Sequence, residues 1–167
     1  MDLEDARYDG SATARLTGHA GLFKGERAVV HVGQCMTVGR SRMCDVSVAR
    51  TAECLRLGKE SLERHKSYRK ISRKHLRICL LGPDHLEIED LSTNGTLVNG
   101  HRVDKVLIHG FSKAGSRVSV EFGEGEILVL EPAGPHEHDP REDGSRAHTE
   151  SGFPLEGRAN RDRTPVP

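Results

Sequence analysis

Hydrophobic residues in this chain come in short runs that alternate with polar ones and stop at glycines. Residues 15–20, 28–32, 36–38 and 45–48 are β-prone stretches punctuated by Gly25, Gly33 and Gly39, a rhythm that predicts short antiparallel strands joined by turns. Leu76, Ile78 and Leu80 alternate with Arg77 and Cys79, and Leu86 and Ile88 with Glu87 and Glu89. Successive side chains of a strand point to opposite faces, so both runs read as half-buried strands. Val118, Val120 and Phe122 repeat the pattern, and residues 127–130 are continuous enough for a strand covered on both faces. Pro83-Asp84 fits a hairpin turn. Asn99-Gly100 fits a type I′ turn, whose two central residues need positive φ. Many short strands with frequent turns predict an all-β, two-sheet antiparallel sandwich.

The rhythm breaks between Ala49 and Lys70. There helix formers dominate and Gly58 interrupts them, so one or two short helical turns are expected over about 51–68. The ends differ again. Residues 1–13 are polar and small, and six of the seven prolines lie from Pro132 onward with Phe153 as the lone aromatic. Such segments cannot bury enough apolar area to offset their ordering entropy. The expected organisation is therefore a disordered lead (1–13), a sandwich domain (14–132) and a disordered tail (133–167).

Twenty-five basic residues balance twenty-five acidic ones, which removes any whole-chain argument for a nucleic acid or an anionic membrane. No apolar run is long enough to span a bilayer, and the acidic start is wrong for a secretory signal, so a cytoplasmic protein is expected. Cys35, Cys44, Cys54 and Cys79 are irregularly spaced without a C-x-x-C pair, and read as reduced, mostly buried thiols rather than a disulfide or metal site. No cofactor is implied. Charge is uneven along the chain: residues 50–77 hold ten Lys or Arg against three Glu. That excess could steer an acidic peptide toward the chain, or simply keep an inserted segment solvated. With Tyr68 as its one aromatic, it argues against nucleic acid.

Three clusters stand beside strand-like runs: Gly39-Arg40-Ser41, then Ser72-Arg73-Lys74-His75, then Ser92-Thr93-Asn94-Gly95-Thr96 leading to Asn99-Gly100. They offer guanidinium groups, hydroxyls and a carboxamide, which suit an oxyanion. A phosphate monoester carries nearly two negative charges and three strong acceptors, so a reader needs several donors at fixed angles. Arg40 can present a planar fork, and Ser72 a neutral hydroxyl. Asn94 has both donor and acceptor for a peptide main chain.

The order and content of these motifs resemble the forkhead-associated (FHA) family over roughly residues 15–131. The resemblance implies an FHA/SMAD-like β-sandwich that reads phosphothreonine peptides without catalysis, in Ser/Thr kinase signalling. It assigns phosphopeptide binding to Arg40, Ser41, Ser72, Arg73, Thr93 and Asn94. Scaffold roles fall to Gly39, His75, Gly95, Asn99 and Gly100, and Arg69 and Lys70 become candidates for reading residues beyond the phosphothreonine. The implied partner is a threonine-phosphorylated protein or peptide. An interaction sandwich that has lost phosphate binding is the alternative, since fold does not guarantee function. Ser72 beside His75 also invites a nucleophile and base reading. At i and i+3 entering a strand the two side chains are expected on opposite faces, which argues against an enzyme.

Overall fold

The computed structural model describes residues 12–133, all within one compact unit spanning Met1–Glu137. The rest of the expected lead and tail lies outside the described residues. Eleven strands run in chain order: β1 (Thr13–Ala20), β2 (Arg27–His31), β3 (Gln34–Gly39), β4 (Val46–Ser47), β5 (Leu76–Gly82), β6 (His85–Asp90), β7 (Thr96–Val98), β8 (His101–Arg102), β9 (Lys105–His109), β10 (Val118–Phe122) and β11 (Glu126–Ala133). One sheet has the order β2-β1-β11-β10-β7-β8 and the other β4-β3-β5-β6-β9. Every pairing is antiparallel except the two-residue bridge of β4 to β3, which is parallel.

The alternating residues decide which face of each sheet turns inward. Leu16, Val30, Val38, Ile78, Leu80, Leu86, Ile88, Val120, Leu128 and Leu130 are all buried and form one core between the sheets. Each fully buried side chain of this size is worth about 1.5–3 kcal/mol against exposure. The sandwich is therefore held by the period-two pattern itself. Asn99 adopts φ 50° and Gly100 φ 84° in the two-residue turn that joins β7 to β8, as the Asn-Gly pair predicts.

The inserted segment between β4 and β5 holds three short helices: α1 (Ala52–Leu57), α2 (Lys59–Glu63) and α3 (Lys66–Lys70). Thr51 caps α1 by accepting from the Cys54 N–H at 3.2 Å, and Gly58 separates α1 from α2. Cys54 and Ile71 are buried, and Leu57, Leu62 and Tyr68 pack against the core, so this segment is docked rather than solvated. Its anchor is polar. The carboxylate of Glu126, wholly buried, accepts from the N–H groups of Leu22 (2.9 Å) and Phe23 (3.0 Å) and from the Ser67 hydroxyl (2.6 Å). Three charge-assisted bonds are what a buried carboxylate requires to offset its lost hydration.

The cysteine expectation needs correcting. Cys44 and Cys54 are buried thiols, but Cys35 on β3 and Cys79 on β5 stand directly opposite in the register and form a disulfide. Irregular spacing gave no sign of it, because cross-strand partners 44 residues apart are set by pairing register and not by local sequence.

Candidate functional site

β3 ends where β5 begins, β5 begins where β6 ends, and β7 starts beside the end of β10. All three sequence clusters therefore reach one rim of the sandwich. They are also stitched together. The N–H of Arg40 donates to Ser72 O and that of Ser41 to Arg73 O, both at 3.0 Å. Gly39 makes this approach possible: a Cβ there would lie 2.2 Å from the Arg73 carbonyl oxygen. The third loop is tied in by side chains. Ser72 Oγ accepts from the Thr93 N–H at 3.0 Å, and Asn94 Nδ2 donates to Lys70 O at 3.0 Å.

His75 is the buried post behind these loops. Its Nδ1 accepts from the Ser72 N–H at 3.0 Å, which fixes the neutral tautomer with the proton on Nε2, and Nε2 donates to Gly95 O at 3.0 Å. Burial pushes its pKa below the ordinary value, against the upward pulls of the Gly95 carbonyl and Asp90. The ring meets the Ser72 main chain and not its hydroxyl, which accepts from the Thr93 N–H. Both ring nitrogens are engaged by backbone groups. The Gly95 N–H in turn donates to Ser92 Oγ at 2.7 Å. Ser92 and Thr96 hydroxyls both donate to Asp90 Oδ1. Partial burial raises the Asp90 carboxyl, but these bonds outweigh it and hold it below the usual carboxylate range.

What remains turned outward is mostly donor. The Arg40 guanidinium lies 5.5 Å from the Tyr68 ring centroid and forms no ion pair with another described residue. Arg73, Lys74 and Thr93 are exposed. Ser72 keeps its own hydroxyl proton for a ligand, since the bond from Thr93 uses only an oxygen lone pair. Ser41 is partly engaged in its own loop, its Oγ accepting from the Met43 N–H at 3.1 Å. Asn94 commits its amide nitrogen to Lys70 O, leaving its carbonyl oxygen to accept from a ligand N–H. Nearby acids are occupied. Asp90 is bonded as above, and Lys70 pairs with Glu124 at 2.7 Å, drawing that carboxyl below its usual range. Lys70, a specificity candidate, is thus engaged on its own surface, whereas Arg69 is exposed with no ion pair among the described residues.

Two residues that position the site gave no sequence signal. Arg50 reaches under the β3–β4 loop and donates to the carbonyls of Arg42, of Cys44 (2.7 Å) and of Asp45 (3.2 Å). Tyr68 supports Arg40 from α3. Both sit in the basic stretch, where one more arginine or a lone tyrosine does not stand out. The buried Cys44 thiol adds a bond to Arg73 O at 3.1 Å, and its burial raises its pKa.

The β-sandwich thus gathers donors from three loops at one rim, chemistry that suits an oxyanion. The FHA domain model matches residues 36–112, a stretch that contains all three motifs. The chain's fold is similar to the FHA domain of an Arabidopsis thaliana hypothetical protein, at 23% identity over 78% of this chain and 96% of that one, with a TM-score of 0.54. It is also similar to the FHA domain of the Chlamydia trachomatis protein CT664 (21% identity, 71% and 96% covered, TM-score 0.50). A third similar structure is the yeast Dun1 FHA domain, solved in complex with a doubly phosphorylated (pT) peptide derived from Rad53 (21%, 78% and 82%, 0.50). No curated protein sequence matches the chain.

Proposed function

We propose that this protein binds threonine-phosphorylated segments of other proteins, at the rim where Arg40, Ser72, Arg73, Thr93 and Asn94 gather, with Ser41 supporting the first loop. The observation that carries this reading is the stitching of three sequence-distant loops through Ser72. Its carbonyl, N–H and hydroxyl each hold a different partner: Arg40, His75 and Thr93. Donors so fixed lose little freedom on meeting an anion. Charge-assisted bonds are worth about 1.5–3 kcal/mol each, so losing three with the phosphate weakens binding by more than about a thousandfold. Asn94, with its carbonyl oxygen outward, would accept from a main-chain N–H of the bound peptide.

The reading is of a binding domain over about 14–132, in Ser/Thr kinase signalling, with no reaction catalysed. It is supported by His75, whose nitrogens are spent on backbone groups and so do not serve the Ser72 hydroxyl as a base. Among the described residues no helix is long and apolar enough to cross a membrane, and a cytoplasmic setting suits a kinase-linked role. The Cys35–Cys79 bond persists only in oxidising surroundings, so the compartment decides whether the two are joined.

Amide chemical-shift mapping with a phosphothreonine peptide tests the location. Saturable shifts should centre on Arg40, Ser72, Thr93, Asn94 and Gly95. Shifts centred on another face of the sandwich would move the site.

A further inference from the structure

Two of the groups turned outward at the rim are held by the same helix. The Tyr68 ring on α3 lies under the Arg40 guanidinium, with 5.5 Å from centroid to Cζ, and the Lys70 carbonyl at the end of α3 accepts from Asn94 Nδ2. Arg40 belongs to the β3–β4 loop and Asn94 to the β6–β7 loop, so α3 is the common reference for both. The helix has five residues, too few to keep its shape in water without tertiary support. Whatever fastens it therefore decides where those two side chains stand.

The fastening is the turn between β10 and β11. Ser67 is 1% exposed and its hydroxyl is fully used, donating to Glu126 Oε2 at 2.6 Å and accepting from the Glu124 N–H at 3.2 Å. Contact is close: a Cβ on Gly123 would lie 2.9 Å from Ser67 Oγ and 3.1 Å from Ile71 Cγ1. Glu126 is in turn fixed by the Leu22 and Phe23 N–H groups. The other tie, Lys70 to Glu124, is about half exposed on both sides, and exposed ion pairs contribute little. Ser67 adjoins Tyr68, and the Ile71 N–H closes the helical turn on Ser67 O at 3.1 Å. A shift at Ser67 is thus carried to Tyr68 and to Lys70 O.

From this chain of contacts we propose that Glu126, acting through Ser67, is a positioning residue for ligand binding: wholly buried, it sets Arg40 and Asn94 without touching the ligand. The proposal rests on the phosphothreonine reading above. It adds a control point on β11, a strand that carries none of the three rim motifs.

The test measures the affinity of the full chain for one phosphothreonine peptide by calorimetry, at a temperature where circular dichroism shows each variant folded. Ser67→Ala removes the bridge and leaves Glu126 its two backbone donors. Affinity should fall about tenfold in Ser67→Ala, but less than about twofold when the same change is made in Tyr68→Leu/Asn94→Ala, where both relayed contacts are already gone. Glu126→Gln should show the same pattern; if it does not fold, Ser67→Ala decides alone. A loss equal in both backgrounds reports a generally looser sandwich and overturns the proposal, as does unchanged affinity in Ser67→Ala. In both of those cases the natural protein still prefers the phosphorylated peptide to its unphosphorylated twin, and the phosphothreonine reading stands. Equal binding of the two forms by the natural protein would sink that reading and this proposal with it.

Discussion

His75 and Gly95, twenty residues apart, are joined by a buried hydrogen bond of 3.0 Å from the imidazole Nε2 to the carbonyl oxygen. Through its other nitrogen the same ring holds the Ser72 N–H, so one side chain sets the spacing of two rim loops. His75→Ala leaves those backbone groups without their partner and opens a void beside Phe122, whose ring centroid is 4.8 Å away. The expected cost is about 3 kcal/mol of stability by urea denaturation, with weaker phosphopeptide binding in the variant that remains folded.

Acid should weaken the fold through the same residue. Because burial depresses the His75 pKa, the unfolded chain takes up a proton near pH 6.5 while the folded chain does so only at lower pH. Its contribution is complete above pH 6.5 and is lost as pH falls through the folded value. Asp90, also depressed, contributes above its ordinary value and is lost at still lower pH. The urea midpoint should therefore fall between pH 6.5 and 5, and less steeply in His75→Gln. Identical slopes in the two proteins would remove His75 from the account.

The Cys35–Cys79 bond closes a loop across the whole insertion, with a sequence separation of 44. Chain-entropy arguments put such a closure at about 2–4 kcal/mol. Urea denaturation with and without a thiol reductant should differ by that amount in the natural protein and by nothing in Cys35→Ser.

Arg40 and Asn99 separate site from scaffold. Arg40→Ala should leave the urea midpoint nearly unchanged and cost at least about a hundredfold in phosphopeptide affinity. Asn99 holds positive φ, and its Oδ1 accepts from the Ser119 N–H at 2.9 Å. Asn99→Ala should cost about 1–2 kcal/mol in denaturation and leave the affinity of the folded protein alone.

The sandwich was legible because its inward residues recur every second position, and the rim because its motifs are contiguous. Lys105–His109 escaped notice as a strand, since Val106, Leu107 and Ile108 form an unbroken apolar trio that hides the alternation. The insertion has three helices instead of one or two and runs on to Lys70, two residues past its expected limit. Glu126 was invisible as an anchor: its partners Leu22, Phe23 and Ser67 lie 104, 103 and 59 residues away, and two of them bond through main chain. Asn94 could be placed at the rim, but not which end of its carboxamide faces outward, because that depends on Lys70 O.

The most direct measurement is calorimetric titration of the full chain with one peptide in two forms, threonine phosphorylated and unphosphorylated. Saturable binding of the phosphorylated form, at least about a thousandfold tighter than its twin, is the predicted result. Equal affinity for the two forms, or binding of neither from a broad set of such pairs, would contradict it.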